Sequence, residues 1–290
     1  MPMAEVNVNW FPGHMTKALR GMEGDLKLVD AVIELTDARI PRSSRNPALD
    51  ELLGQKPRLV LLNRADLADP AATERWLRHY RAGGVSALAV DSRSGRGVEK
   101  LAPARRTLLR EKLERLAAKG QATRPIRAMV VGIPNVGKSS FINKTAKRKA
   151  AAAGNKPGVT KGRQWITVDK TLELLDTPGV LWPKFDDPRV GEHLAFTGAV
   201  KDQILDTEEL AAHLLLLLAE IAPQALAERF KLTEVQGLQG WELLEAAARK
   251  RGFLISGGEA DTLRTSNVLL DEFRAGKLGR LTLEAPDAEG

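Results

Sequence analysis

The chain contains no cysteine, which excludes a disulfide framework, thiolate zinc sites and a cysteine nucleophile together. Histidine is scarce as well: His14, His79, His193 and His213 are the only four, and none has a partner at metal-ligand spacing. The longest apolar run, Leu214–Ala219 with flanking alanines, falls far short of the ~18 residues a membrane helix needs. The amino terminus lacks the basic, apolar and small-residue succession of a signal peptide. What remains is an ordinary globular composition, 43% hydrophobic and 28% charged over 290 residues. At roughly 150 residues per domain this predicts two domains. The expectation is a soluble, cytoplasmic monomer without a membrane partner.

Charge is unevenly spread. The whole chain carries +7, but residues 96–170 hold 19 Lys/Arg against 4 Asp/Glu, a local +15 that leaves the remainder at −8. A block that basic reads as an anion-binding surface, with nucleic acid its commonest partner. Part of it has a plainer explanation: Arg105–Lys119 alternates charge with leucine at helical spacing and reads as a solvated helix. Lys144–Lys161, basic and free of acids with Ala and Gly between, is not explained that way.

Six short apolar segments punctuate the first 180 residues: Ala31–Leu35, Leu59–Leu62, Ala87–Val90, Ala128–Val131, Trp165–Val168 and Leu172–Leu175. Most end abruptly in polar residues, as strands buried on both faces do, so an α/β sandwich is expected with its chemistry at the strand ends. From Thr207, a plausible N-cap ahead of Glu208 and Glu209, the pattern becomes helical. Further helices are expected at Gln224–Phe230, Trp241–Arg251 (closed by Gly252) and Asp261–Arg274, with a strand at Arg280–Leu283.

The strongest motif is Gly132-Ile-Pro-Asn-Val-Gly137-Lys138-Ser139 after the strand Ala128–Val131. Its glycines let backbone N–H groups fold around phosphate, Lys138 reaches the β/γ-phosphates, and the Ser139 hydroxyl ligates Mg²⁺. Asp176-Thr-Pro-Gly179 follows another strand, where a carboxylate holds the Mg²⁺ shell and a glycine amide meets the γ-phosphate. Between them lies Pro157-Gly-Val-Thr160, whose threonine would complete that shell. Upstream, Asn63-Arg64-Ala65-Asp66 resembles the N-K-x-D of GTP-binding proteins. The carboxylate of Asp66 can accept both the N1–H and 2-amino donors of guanine, which adenine does not offer. Arg64 replaces the usual Lys, and a guanidinium can also stack on the base. Asp91-Ser92-Arg93 stands where such proteins carry S-A-x, with the Ser92 amide assigned to guanine O6.

These elements occur in permuted order, base recognition first and P-loop later. With Asn9-Trp-Phe-Pro-Gly-His14-Met15, and the stretches Asp176–Asp202 and Gly252–Leu281, the chain resembles the ribosome biogenesis GTPase A family of circularly permuted, translation-factor-related P-loop GTPases. The resemblance implies a three-layer α/β GTPase domain over residues 1–200, with an amino-terminal arm at 1–25, and an all-helical RNA-binding domain over 201–290. It further implies GTP hydrolysis in late assembly of the large ribosomal subunit and binding to its rRNA. Asn63, Arg64, Asp66, Asp91 and Ser92 would hold guanine. Asn135, Val136, Gly137, Lys138, Ser139, Ser140, Thr160 and Gly179 would hold the phosphates of GTP or GDP, and Ser139, Thr160 and Asp176 the Mg²⁺, the last through water. Lys138, Thr160 and Gly179 would act on the γ-phosphate.

Val180 stands where many GTPases place a water-orienting Gln, and Val has no hydrogen-bonding group. The family motif offers His14 as its replacement, and slow turnover stimulated by the ribosome follows. Asn135 matches a residue that helps some related GTPases coordinate K⁺. Because Asp176–Gly179 leads through Trp182–Thr197 into the helical domain, an ordered γ-phosphate segment would reach that domain by chain continuity. Trp10 and Trp182 are expected to pack together, and Trp76, Trp165 and Trp241 to be core residues. Three rivals remain open: a metabolic P-loop kinase or ATPase, which would not need Asp66; an RNA chaperone with a vestigial nucleotide site; and a sister GTPase of the small subunit.

Overall fold

The computed structural model describes residues 13–121, 124–147, 164–182, 185, 187–200 and 206–286, with side chains from residue 20 onward. Six strands form one sheet: β1 (Ala31–Asp37), β2 (Arg58–Asn63), β3 (Ser86–Ala89), β4 (Ile126–Gly132), β5 (Gln164–Asp169) and β6 (Leu172–Asp176). Their order is β3-β2-β1-β4-β6-β5, all parallel except the β5–β6 hairpin. All six apolar segments are strands, and β1, β2 and β4 sit in the middle, where Val32, Leu35, Val60, Leu61, Val130 and Val131 are completely buried.

Helix α1 (Gly13–Leu26) leads into β1, and α2 (Pro47–Leu53), α3 (Pro70–Ala82), α4 (Leu101–Leu108), α5 (Arg110–Ala118) and α6 (Lys138–Thr145) connect the strands. Trp76 and Tyr80 of α3 pack on Val60 and Leu62, which project from one face of the sheet. Leu108, Leu109, Leu113 and Leu116 pack on Ala31 and Ile126, which project from the other. Helices on both faces of a mostly parallel sheet complete the three layers. Asn46 and Asp69 cap α2 and α3 with their side chains, each followed by Pro at the first helical position.

The expected helix Arg105–Lys119 is instead two. Leu109 takes φ −111° and ψ 16°, turning its side chain into the core between α4 and α5, so burial of one leucine outweighs helix continuity. Trp76 is buried, but Trp165 and Trp241 are 41% and 47% exposed. Trp165 lies on the outermost strand under the Arg127 guanidinium, and Trp241 sits at the solvent face of a helix start. Trp10, and so its contact with Trp182, lies outside the described residues.

The remaining helices are α7 (Pro188–Phe196), α8 (Thr207–Ile221), α9 (Pro223–Phe230), α10 (Gly240–Arg251) and α11 (Thr262–Arg274). Asp206, not Thr207, caps α8, accepting from the amides of Glu208 and Glu209; Asp261 caps α11 in the same way from Arg264. Gly252 closes α10 at φ 68°, in the left-handed region. The Leu-rich face of α8 packs against α10 and α11. No strand forms at Arg280–Leu283, which runs as irregular chain. The contacts divide the molecule into one unit that runs to Lys184 and takes back the chain from Glu284, and another spanning Phe185–Leu283. That division precedes the expected 200/201 boundary because α7 packs with α8 and α11. Among the described residues no single helix is long and apolar enough to cross a membrane.

Candidate functional site

Strands β1 and β4 are neighbours whose following segments lead away on their own courses, and such a point at the carboxyl ends of a parallel sheet is where ligands bind. The loop after β4 is shaped by backbone conformations only some residues tolerate: Gly132 at φ 146°, Asn135 at φ 56° and Gly137 at φ 102°. Lys138 begins α6 directly behind this loop. Its ammonium folds back to donate to the carbonyls of Gly132 (3.0 Å) and Ile133 (2.8 Å). Burial pushes the Lys138 pKa down to about 8, partly opposed by the nearby charge of Asp176. Phosphate oxygens in the loop would replace those two carbonyls and restore the ammonium. Ser139 is half-buried in the first helical turn, Ser140 exposed, and Asp176 buried at the end of β6.

Asn63 joins the base-reading and phosphate loops. Its Nδ2 donates to the Val136 carbonyl at 2.7 Å, and its Oδ1 accepts from the Ser92 amide at 3.0 Å and the Ser92 hydroxyl at 2.7 Å. The amide assigned to guanine O6 is therefore spent on Asn63, and Ser92 serves the site by holding that side chain. A Cβ on Gly137 would collide with Asn63 Nδ2, so the P-loop glycine is required by the approach as well as by its φ. Asp91 shapes the same loop, its Oδ1 accepting from the amides of Arg93 (2.8 Å) and Ser94 (3.2 Å). Burial pushes its carboxyl up, but hydrogen bonds from Ser94 and Arg93 outweigh this and hold it below the ordinary carboxylate value. Asp66 is half-buried beyond β2, and among the described residues nothing donates to its carboxylate. Arg64 adopts φ 59° and donates through Nη2 to the Asn135 carbonyl at 2.5 Å.

Gly179 closes the site from the β6 side. A Cβ there would stand 2.7 Å from the N and Cα of Pro134 and 2.9 Å from Lys138 Nζ. Val180 is 1% exposed; its amide donates to the Gly132 carbonyl at 3.3 Å and its carbonyl accepts from Asn46 Nδ2 at 3.2 Å. It is a core residue and cannot orient water. Thr160 and the side chain of His14 lie outside the described residues.

Three contributors were not singled out from the sequence. Asn46 ties α2 to Val180, while Asp37 and Arg39 form a buried pair at the end of β1, Nη2 to Oδ2 2.8 Å apart. Burial pushes the Asp37 carboxyl up, but Arg39 and then Arg64 outweigh it and hold it below the ordinary range. The one available signal was Asp37-Ala-Arg39 at an abrupt strand end.

Comparisons with known proteins agree with this geometry. A family model described as 50S ribosome-binding GTPase matches residues 127–244. Ribosome biogenesis GTPase A of Bacillus cereus is 48% identical over 283 residues, covering 98% of this chain and 95% of that protein. Mitochondrial ribosome-associated GTPase 1 of Mus musculus is 35% identical, covering 95% and 89% respectively. A crystal structure of GNP-bound YlqF from T. maritima superposes with a TM-score of 0.63 at 28% identity, covering 94% of this chain and all of that one.

Proposed function

This chain belongs to the ribosome biogenesis GTPase A family, and on that premise we propose that it binds rRNA of the large ribosomal subunit late in its maturation and leaves on hydrolysing GTP. The observation that carries the reading is Asn63, one side chain bonded at once to the P-loop and to Ser92, beside the unengaged carboxylate of Asp66. That is the layout a guanine nucleotide needs, since the base donors and the phosphates must be met together.

Asp66 would accept the two guanine donors, while the amides from Asn135 to Ser140 would surround the phosphates and Lys138 would cross to the β/γ oxygens. Ser139 and Asp176, with Thr160, would hold Mg²⁺, which supplies charge neutralisation between β- and γ-phosphates. The oxygen donors fit that ion, Ser139 half-buried in the first turn of α6 and Asp176 buried at the end of β6, while the loop shaped by Gly137 and Gly179 beside Lys138 fits the phosphates. Gly179, close enough to Pro134 and Lys138 to exclude any side chain, would offer its amide to the γ-phosphate. With Val180 buried, the attacking water needs a donor from elsewhere, for which His14 is the candidate. K⁺ beside Asn135 would add positive charge there, and equal rates in Na⁺ would remove it from the account.

For RNA, the helical unit offers one corner rather than a whole face, because residues 185–283 hold 11 basic and 16 acidic side chains. At that corner Arg251 lies over the rings of Phe230 and Phe253, and Arg264 over Phe253 at 4.4 Å, beside exposed Leu254 and Ile255. Arg251 is held there by Glu272 and the Arg229 carbonyl, so the exposed guanidinium of Arg264, next to apolar surface, is the group that suits phosphate contact and base stacking.

The test is multiple-turnover GTP hydrolysis with purified large or small subunits added separately. Slow basal turnover, raised by large subunits and not by small ones, is expected. Stimulation by small subunits would assign the chain to the other particle, and rapid turnover without ribosomes would contradict the missing water-orienting residue.

A further inference from the structure

Base-reading and phosphate loops are joined behind the site by the end of the central strand. Asp37 pairs in register with Asn63, and the next amide, Ala38 N–H, donates to the Asn63 carbonyl at 2.8 Å. On the other side the Leu35 carbonyl stands so close to Gly132 that a Cβ there would collide with it. The Asp37 side chain is clamped by Arg39, which is 1% exposed and donates from Nε (2.9 Å), Nη2 (2.8 Å) and its own amide (3.0 Å). The Ser44 hydroxyl oxygen accepts from the Asp37 amide at 2.9 Å. The carboxylate is thus fixed in place before it meets Arg64. There, Arg64 Nη1 lies 3.5 Å from Asp37 Oδ2 while its Nη2 donates to the Asn135 carbonyl.

We propose that Asp37 is a positioning residue for the nucleotide: clamped by Arg39, it holds the Arg64 guanidinium against the Asn135 carbonyl and so sets the base-reading loop against the P-loop. Arg64 and Asn135 both occupy left-handed backbone conformations that non-glycine residues seldom adopt, at φ 59° and 56°. Such conformations persist where their surroundings over-determine them, and this three-residue chain does so for both. It also explains why position 64 is Arg. A guanidinium presents two Nη groups on a rigid fork and reaches Asp37 and the carbonyl together, whereas an ammonium is a single point on a flexible stem.

The inference rests on this site binding a guanine nucleotide, so its test separates the two. Dissociation constants for fluorescent GDP and ADP derivatives would be measured for the full chain, Arg64→Lys, Asp37→Asn and the double variant, with unfolding midpoints recorded for each. Both single variants are expected to bind GDP about five- to tenfold more weakly, the loss of one half-buried charge-assisted contact. The double variant should be no weaker than the weaker single, because both act through one link. Arg64→Lys leaves the buried Asp37–Arg39 pair intact and decides the matter by itself if Asp37→Asn fails to fold. GDP binding by Arg64→Lys at least as tight as that of the parent, or losses that multiply in the double variant, would overturn the proposal. Equal binding of ADP and GDP by the parent chain would instead overturn the guanine reading.

Discussion

Replacing Gly179 by Ala tests how the segment after β6 senses the phosphate. Its φ is not in the left-handed region, so alanine adds no backbone strain there and the cost is contact alone. The new Cβ would lie 2.7 Å from two backbone atoms of Pro134, and relief to ordinary contact at 3.4 Å needs about 0.7 Å of separation. Lys138 Nζ, at 2.9 Å, belongs to a side chain and can give; Pro134 is part of the P-loop and cannot. Overpacking of this kind costs ~1–3 kcal/mol, shared by every nucleotide state. An amide carried ~0.7 Å from the γ-phosphate leaves hydrogen-bonding range, forfeiting a further ~1.5–3 kcal/mol in the GTP state alone. Calorimetric titration with GDP and a non-hydrolysable GTP analogue should therefore show the analogue losing at least about tenfold more affinity than GDP. Equal losses for both, or none for either, would refute the argument that Gly179 is there for the γ-phosphate.

Lys138 makes nucleotide binding pH-dependent in a definite direction. With its free-state pKa lowered to about 8, the ammonium loses its proton above that pH, while bound phosphate holds it charged, so GDP affinity should fall as pH rises past 8 and binding should take up a proton. Titration calorimetry in buffers of different ionisation enthalpy reads that proton; none taken up at pH 8 would contradict the burial argument. Because the folded Lys138 pKa is depressed, the nucleotide-free chain should also gain stability between pH 8 and 10.5, which urea unfolding across that window checks. Asn63→Ala removes three buried hydrogen bonds and orphans the Val136 carbonyl and Ser92 amide, for an expected loss of ~2–4 kcal/mol in denaturant unfolding; under 1 kcal/mol would mean the bridge is slack. Glu284 accepts from the amides of Arg42 (2.7 Å) and Ser43 (3.2 Å) and from the Ser43 hydroxyl, while its carbonyl accepts from Trp76 Nε1. Glu284→Ala should cost ~1–3 kcal/mol and red-shift Trp76 emission, and an unchanged spectrum would show the segment is held without that carboxylate.

The sheet and its loops were legible because their signals are local. A strand ending in glycines and Lys138 states its geometry within eight residues, and the permuted order followed from where each motif met its strand. Long-range reciprocity was not legible. The sequence shows Asn63 as a base-reading residue, but its bonds run to Val136 and Ser92, 73 and 29 positions away. Asp37 and Arg39 were visible only as a polar strand end, since nothing nearby marks Arg64 as their partner. Leu109 misled because leucines on either side continue the helical period, and the break is decided by the core beneath it. Trp165 and Trp241 misled because aromatic identity does not say which face of an edge strand or helix end a residue occupies. The return of Glu284 to the GTPase unit depends on Arg42, Ser43 and Trp76, none of them near it in sequence.

The most direct test is co-sedimentation with separated ribosomal subunits, run in parallel with a non-hydrolysable GTP analogue, GDP and an ATP analogue. The account predicts stable binding to the large subunit with the GTP analogue only. Binding that ignores the nucleotide, or that follows the ATP analogue equally well, would contradict it.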